Sequence, residues 1–416
     1  MRARYLLVTV LILAACSPQA GVNPSPTGSR VSASESSTAT PTTTPTATPT
    51  PNPNDGRTLS LSAIQRLNPK VGYIAGWSGT DLGLAKTSDG GTTWQRFPIP
   101  ADHLTALRFI DEHIGWAAGF LSRDVAQIAC QQAAPAGAQP CKGVVLRTQD
   151  GGKTWQTVLA IPTNGVYGEP IRQIQAVDGQ RAWALSLDQA ACQAFCPSIL
   201  ERTTDGGGTW TTQLHGTIAT IRFASATRGW VVLDDTPSPG TVEVRETSDG
   251  GASWRTVLRT ATGNAAGLDA ASVNTAWLLT RDGAYCSMST CEKYDLFRTD
   301  NGGLTWSDLG NPKDSTGGCA GGQLAGPLFA STGRGWLGLN LGAGGGNVGP
   351  VGILKSEDGG RSWRCGTMPR NISVITAADA LHIWAAGEDR MTQATALFTT
   401  EDAGTTWHPI NLDSLR

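Results

Sequence analysis

The stretch Thr148-Gln149-Asp150-Gly151-Gly152-Lys153-Thr154-Trp155 decides the fold, because it recurs. Seven copies of T-x-D-G-G-x-T-W, with small departures, run along the chain, closed by Trp94, Trp155, Trp210, Trp254, Trp306, Trp363 and Trp407. The acidic position holds Asp89, Asp150, Asp205, Asp249, Asp358 and Asp402, and Asn301 replaces it in the fifth copy. Asp and Asn share a short side-chain acceptor that bonds nearby backbone N–H groups and closes a turn. Paired glycines such as Gly90 and Gly91 suit the positive-φ positions of a tight hairpin. Since Asn301 serves in place of an acid and the same residues recur in every copy, turn closure explains these side chains better than catalysis or calcium binding.

A second row of aromatic residues precedes each copy: Tyr73, Trp116, Trp183, Trp230, Trp277, Trp336 and Trp384. Segments such as Leu104–Gly119 and Ala219–Leu233 read as an extended run, a polar turn and a second run opened by Trp. Each repeat therefore holds four short strands, and a lone four-stranded unit cannot bury both faces. The predicted fold class is all-β: a seven-bladed β-propeller of four-stranded antiparallel blades. A solenoid is the weaker alternative, because ring closure protects strand edges. WD-type repeats are excluded, since no Trp-Asp strand ending appears. Both tryptophan rows are expected in the blade core. That leaves Trp77, four residues late in the first repeat, as the candidate exposed ring.

On the innermost strands, the residues nine and seven before the aligned aromatic should share one face. The position seven before reads Arg66, Phe109, Ala176, Phe223, Ala270, Phe329 and Ala377, alternating large and small after the first blade. The position eight before is more polar, with Gln65, Arg108, Gln175, Arg222, Asp269, Leu328 and Thr376, and is expected to border the central channel.

The turn motif resembles the Asp-box (bacterial neuraminidase) repeat over about residues 58–412. The combined pattern of Phe109, Asp111, Gly115, Trp116 and Gly119, followed by Thr148 to Trp155, resembles the photosystem II assembly and stability factor family. That resemblance implies a non-enzymatic assembly scaffold that presents an arginine patch to a partner. At the corresponding inner strands this chain offers Arg66, Arg108, Arg172 and Arg222. A photosynthetic role does not follow, because the N-terminal features depart from the family.

Residues 1–15 read as a lipoprotein signal peptide: Arg2 and Arg4, a short apolar run from Tyr5 to Leu13, then Leu13-Ala14-Ala15-Cys16. The run is too short to span a membrane. The lipobox resemblance implies lipidation at Cys16 and an extracytoplasmic protein held on a bacterial membrane. Residues 16–57 are rich in Ser, Thr and Pro and read as a disordered stalk, with fully extended length on the order of 120 Å. Residues 58–416 form the propeller. Eight further cysteines, an even number, fit an exported protein. Proximity pairs Cys130 with Cys141, Cys192 with Cys196, and Cys286 with Cys291; elimination leaves Cys319 with Cys365.

Three of these pairs staple insertions between the second and third strands of a blade. Such connections and the inter-blade loops emerge on one rim, opposite the T-x-D-G-G turns. They include Leu121–Lys142, Asp188–Pro197, Asp282–Lys293, the inter-blade loop Asn311–Gly326 and the Gly-rich Gly342–Gly349. Loops on a rigid scaffold commonly carry function; the plain alternative is insertions stapled for stability alone. A net charge of −2 with only 16 % charged residues gives no footprint for nucleic acid. No HExxH or paired-histidine spacing occurs, so no metal or cofactor is expected. Glycoside hydrolysis needs two carboxylates flanking a bond, and Asp269 is the single acid at the inner polar position. The expectation is a protein-binding or assembly scaffold. The alternative is a glycan-binding or sialidase-like hydrolytic surface protein, and a third reading is an envelope spacer.

Overall fold

The computed structural model describes residues 59–78, 81–121, 142–162, 170–188, 190–191, 196–234, 240–260, 263–281, 293–316, 323–340, 352–367, 372, 374–388 and 395–415. These residues build seven four-stranded antiparallel sheets, each of four consecutive strands. The blades run β1 (Leu59–Arg66) to β4 (Gln95–Phe97), β5 (His103–Phe109) to β8 (Gln156–Pro162), β9 (Ile171–Ala176) to β12 (Thr211–Gly216) and β13 (Ile218–Phe223) to β16 (Arg255–Arg259). They continue from β17 (Asn264–Ala270) to β20 (Ser307–Asp308), β21 (Gln323–Phe329) to β24 (Arg364–Thr367) and β25 (Val374–Ala377) to β28 (His408–Ile410). The first strands neighbour one another in order, and β1 lies against β25, so the ring closes. This is an all-β seven-bladed propeller. Among the described residues no strand is exchanged between the first and last blades, and side chains join them across the closing seam.

The second-strand aromatics, Tyr73, Trp116, Trp183, Trp230, Trp277, Trp336 and Trp384, are all 0 % exposed. Each packs across a seam onto the following blade. Tyr73 stacks on Phe109 at 3.5 Å, Trp183 on Phe223 at 3.7 Å and Trp277 on Phe329 at 3.7 Å. At the intervening seams the position of the Phe is taken by Ala176, Ala270 and Ala377. The phenylalanines fix the residue before the aromatic. A Cβ at Gly115, Gly229 or Gly335 would stand 2.3–2.5 Å from the Phe ring of its own blade, so those blades read Gly-Trp. Where the Phe is Ala, Ala182, Ala276 and Ile383 fit.

The turn tryptophans differ from the expectation of a uniform core. Trp363 is 3 % exposed, but the other six are half-buried. They stand edge-on to the buried rings, as Trp210 does to Trp116 at 6.4 Å and Trp155 to Phe109 at 5.9 Å. Trp77 lies in the strand Gly72–Ser78, opposite Leu82, and its side chain lies outside the described residues.

The T-x-D-G-G turns close as their chemistry dictates. In the third copy Thr203 Oγ1 donates to Asp205 Oδ1 at 2.8 Å and accepts from Gly207 N–H at 2.9 Å. Asp205 accepts from Thr209 N–H at 2.9 Å and from Thr209 Oγ1 at 2.8 Å. Asn301 keeps the geometry by reversing one bond: its Nδ2 donates to Thr305 Oγ1 at 2.8 Å while its Oδ1 accepts Thr305 N–H at 2.9 Å. The seventh copy carries Ala403 at φ 61°, where the other copies have glycine.

These bonds favour the ionised carboxyl. The Thr93 hydroxyl and N–H hold Asp89 at about 2, Thr154 does the same for Asp150, and Thr209 for Asp205, against an ordinary value of 3.8. Asp249 and Asp402 are lowered in the same way. A carboxyl whose folded-state value is depressed stabilises the fold above its unfolded value and loses that contribution as pH falls. The thermal midpoint should therefore drop as pH falls from about 4 to about 2, while between about pH 5 and 7 the contribution of these turns is complete and does not change. Calorimetry of Asp205→Asn checks this: the variant should lose less stability than the parent over the acid window, and an equal loss would contradict the assignment.

Candidate functional site

The inner strands enter at the loop rim and leave at the turn face, so their residues line the channel in layers. Six of them share one irregularity, a bulge at Ser62, Thr105, Arg172, Ala219, Ala266 and Gly326. Bulges gather at the rims of closed sheets and leave backbone groups unpaired. Three residues deeper in blades one to five sits the polar row, which ties several blades to the next. Gln65 clamps Phe109, donating to its carbonyl at 2.8 Å and accepting its N–H at 2.7 Å. Asp269 accepts Phe329 N–H at 2.7 Å, and Arg108 Nε reaches Ala176 O at 3.4 Å.

The four arginines separate into different roles. Arg66 is 2 % exposed and does not join the channel. Its Nη1 donates to Thr399 Oγ1 at 2.9 Å, Thr400 O at 3.0 Å and Ile383 O at 3.3 Å, and its Nη2 to Pro69 O at 2.9 Å. The guanidinium lies 5.7 Å from the Trp384 ring, and burial lowers its pKa. Its place in the binding patch is thereby corrected: Arg66 holds the seam between the last blade and the first. Arg222 pairs with Asp269 at 2.8 Å, the carboxylate being only 6 % exposed. Arg108 is half-buried; desolvation by the channel walls and the nearby Arg222 charge lower its pKa to about 10, against the pull of Asp269. Arg172 is exposed at the rim end of β9. Arg108 and Arg222 therefore lie close together in the channel, with Arg172 at the rim end of its strand and Asp269 as the one acidic residue among the described inner strands.

Toward the loop rim the channel opens into a cavity of about 380 Å³, lined by Gln173, Ala219, Thr220, Ala265, Ala266, Gly267, Leu268, Gly326 and Pro327. Gln173 is fixed there, its Oε1 accepting Ile221 N–H at 3.0 Å and its Nε2 donating to Thr220 at 3.1 Å. The large rim insertions lie outside the described residues, as do Cys16, Cys130, Cys141, Cys192, Cys286, Cys291 and Cys319. Cys196 and Cys365 are disulfide-bonded, and their partners lie outside the described residues. Among the described residues, no group of three or more His, Cys, Asp or Glu could hold a metal ion.

One set of residues escaped the sequence reading. The residue before each motif threonine stands opposite the buried aromatic, and in five blades it is basic: Lys86, Arg147, Arg202, Arg298 and Lys355. Four of these roof their own ring, with Arg298 5.2 Å from Trp277 and Lys86 5.3 Å from Tyr73. The cations also reach the next blade's turn: Arg202 donates to Asp249 O at 3.1 Å, Arg298 to Gly359 O at 3.1 Å and Lys355 to Thr405 Oγ1 at 3.2 Å. Blade four has Glu246 at this position, and Arg228 pairs with it and reaches Gly302 O at 3.5 Å. Blade seven has Thr399, and Arg66 arrives from blade one. A basic residue before the motif threonine was the available signal.

No model of a known protein family matches the chain, and no curated protein matches it in sequence. Among solved structures it is similar to YCF48 bound to a D1 peptide, at 18 % identity and TM-score 0.53, covering 83 % of this chain and 94 % of that one. The β-propeller domain of the Trilobed protease from Pyrococcus furiosus is similar at 8 % identity and TM-score 0.55, covering 85 % and 98 %. An ancestral GH74 enzyme, AFV00434, is similar at 12 % identity and TM-score 0.50, where the match spans 83 % of this chain and 47 % of the enzyme. At these identities the likeness establishes the propeller fold, which hosts both binding proteins and enzymes.

The ion pair in the channel makes a testable claim. Arg222→Met leaves a buried carboxylate without its counter-charge and should cost about 3–5 kcal/mol in denaturant unfolding. Adding Asp269→Asn should recover most of that loss, since the amide still accepts Phe329 N–H. A double variant no more stable than the single one would show that Arg222 acts through packing alone.

Proposed function

We propose that this chain is a lipid-anchored extracytoplasmic propeller of the Asp-box type that binds a protein partner and performs no chemistry. Its loop rim is the binding surface: Arg172 at the mouth, Arg108 and Arg222 within, and the stapled insertions around them. Anchoring through Cys16 and the pairings Cys130–Cys141, Cys192–Cys196, Cys286–Cys291 and Cys319–Cys365 belong to the same proposal. The observation that carries it is the channel's electrostatics: the guanidiniums of Arg108 and Arg222 lie near one carboxylate, that carboxylate is already engaged by Arg222 and Phe329 N–H, and Arg172 is exposed at the rim end. Such a site attracts an acidic segment of a partner. The similar YCF48 is bound to a peptide, which agrees with recognition of a protein segment on this fold.

The hydrolase alternative has less to support it. Proton transfer at a glycosidic bond needs a second carboxylate across the scissile position, and the described inner strands hold only Asp269.

Arg172 is exposed and makes no core contact, so it tests the proposal without disturbing the fold. Arg172→Glu should reduce recovery of a partner from detergent-solubilised envelope by about tenfold or more, with the thermal midpoint kept near that of the parent. Equal recovery by parent and variant would remove the loop rim as the binding surface.

A further inference from the structure

The residue after each motif Asp or Asn is tied down in all seven blades. Its N–H donates to a backbone carbonyl in the turn between that blade's first two strands. Gly90 donates to Lys70 O at 2.7 Å, Gly151 to His113 O at 2.8 Å, Gly206 to Gln180 O at 2.9 Å and Gly250 to Thr227 O at 2.8 Å. Gly302 donates to Asn274 O at 2.8 Å, Gly359 to Gly333 O at 2.7 Å and Ala403 to Leu381 O at 3.1 Å. This N–H has a chemistry of its own. In an Asn-Gly or Asp-Gly pair the glycine nitrogen, unhindered by a Cβ, can attack the side-chain carbonyl carbon of the residue before it.

Six of the turns carry a carboxyl, ionised at neutral pH, and a carboxylate resists that attack. The fifth carries Asn301, whose uncharged amide can lose its nitrogen as ammonia. Only the fold shields it. Asn301 is exposed, while Gly302 is buried. The Asn301 Oδ1 accepts from Thr299 Oγ1 at 3.0 Å and from Thr305 N–H at 2.9 Å, and its Nδ2 donates to Thr305 Oγ1 at 2.8 Å. The other side of the Gly302 peptide is held by blade four, where Arg228 Nη1 reaches Gly302 O at 3.5 Å. The Gly302 N–H must leave Asn274, and the amide must leave Thr299 and Thr305, before nitrogen and carbonyl carbon can meet.

We propose that Asn301 is a site of non-enzymatic covalent modification, a deamidation gated by opening of the fifth turn. In the opened turn the Gly302 nitrogen loses its proton and bonds to Asn301 Cγ. The side-chain nitrogen takes up a proton and leaves as ammonia, closing a cyclic imide. Water then opens the imide, so that the sum is amide plus water to acid plus ammonia, with no change of oxidation state. Breaking the new bond from Gly302 N to Cγ gives aspartate. Breaking the original peptide bond gives isoaspartate, whose chain runs on through Cγ. Aspartate matches the other turns, where the Thr hydroxyl donates to the carboxylate as Thr209 does to Asp205. Isoaspartate lengthens the backbone by one atom, so the bonds to Thr299 and Thr305 cannot re-form and the seam held by Arg228 loosens. The reaction involves no partner and stands apart from the proposed function.

Peptide mass mapping of the full chain, incubated at mildly alkaline pH, tests the proposal on the tryptic peptide Thr299–Lys313. In denaturant, Asn301 should deamidate at a rate similar to Asn164, the chain's other Asn-Gly asparagine. In the native protein Asn301 should react about a hundredfold more slowly or less, as for a step that waits on a local opening. Thr305→Val removes one hydroxyl acceptor and should speed the native reaction about three- to tenfold, leaving the rate in denaturant unchanged. Asn301→Asp should fold with a thermal midpoint close to the parent's. If Thr305→Val fails to fold, the native and denatured rates of the parent carry the test. Equal rates in the native and denatured parent, no reaction in either, or a folded Thr305→Val that reacts no faster than the parent would overturn the proposal.

Discussion

Seven buried aromatic rings, each pressed against the next blade and five of them roofed by a cation, hold this ring together. Among the described residues no backbone ladder crosses a seam, and the inter-blade hydrogen bonds and ring contacts are made by side chains. The ring supplies apolar area. The cation supplies a charge that reads the ring's face and bonds the neighbour's turn. At four seams the indole N–H also donates to a backbone carbonyl of the following blade, as Trp183 does to Gly250 O at 2.8 Å and Trp277 to Gly359 O at 2.9 Å. A desolvated cation over an aromatic face can contribute about 2 kcal/mol, and it adds to the polar links that the inner strands make from blade to blade.

An odd number of blades imposes a second constraint. Phe and Ala alternate along the seams, but an alternation of two cannot close over seven positions. The mismatch falls between the last blade and the first, where Arg66 stands in the Phe/Ala row. The same arginine replaces the cation that Thr399 does not supply. At the same seam Gly72 is glycine because a Cβ there would stand 2.2 Å from the Trp384 ring. One residue thus answers two departures from the repeat at the seam between the last blade and the first.

Blade number, strand order and turn chemistry were legible because each is local and repeated seven times. Asn301 carried the argument for turn closure, and its reversed hydrogen bond bears that out. The role of Arg66 was not legible, because its partners Ile383, Thr399 and Thr400 lie more than 300 positions away. By sequence position alone it resembles Arg108. The pairing of Arg222 with Asp269 was hidden for the same reason, since charges on different strands meet only once the ring has closed. The channel therefore emerges more neutral than a row of arginines implies, because Arg66 is buried at a seam and Arg222 is paired with Asp269.

The dependence of the ring on one closing side chain is tested most directly by hydrogen exchange on Arg66→Leu beside Arg172→Leu. Arg66→Leu should lower global stability by about 3 kcal/mol or more, because it orphans buried acceptors and uncovers Trp384. Protection should fall first in the strands of blades one and seven, with blades three and four retained until global unfolding. Arg172→Leu should change little. Equal, small effects from both variants, or loss of protection spread evenly around the ring, would contradict the role of Arg66 as the closure of the propeller.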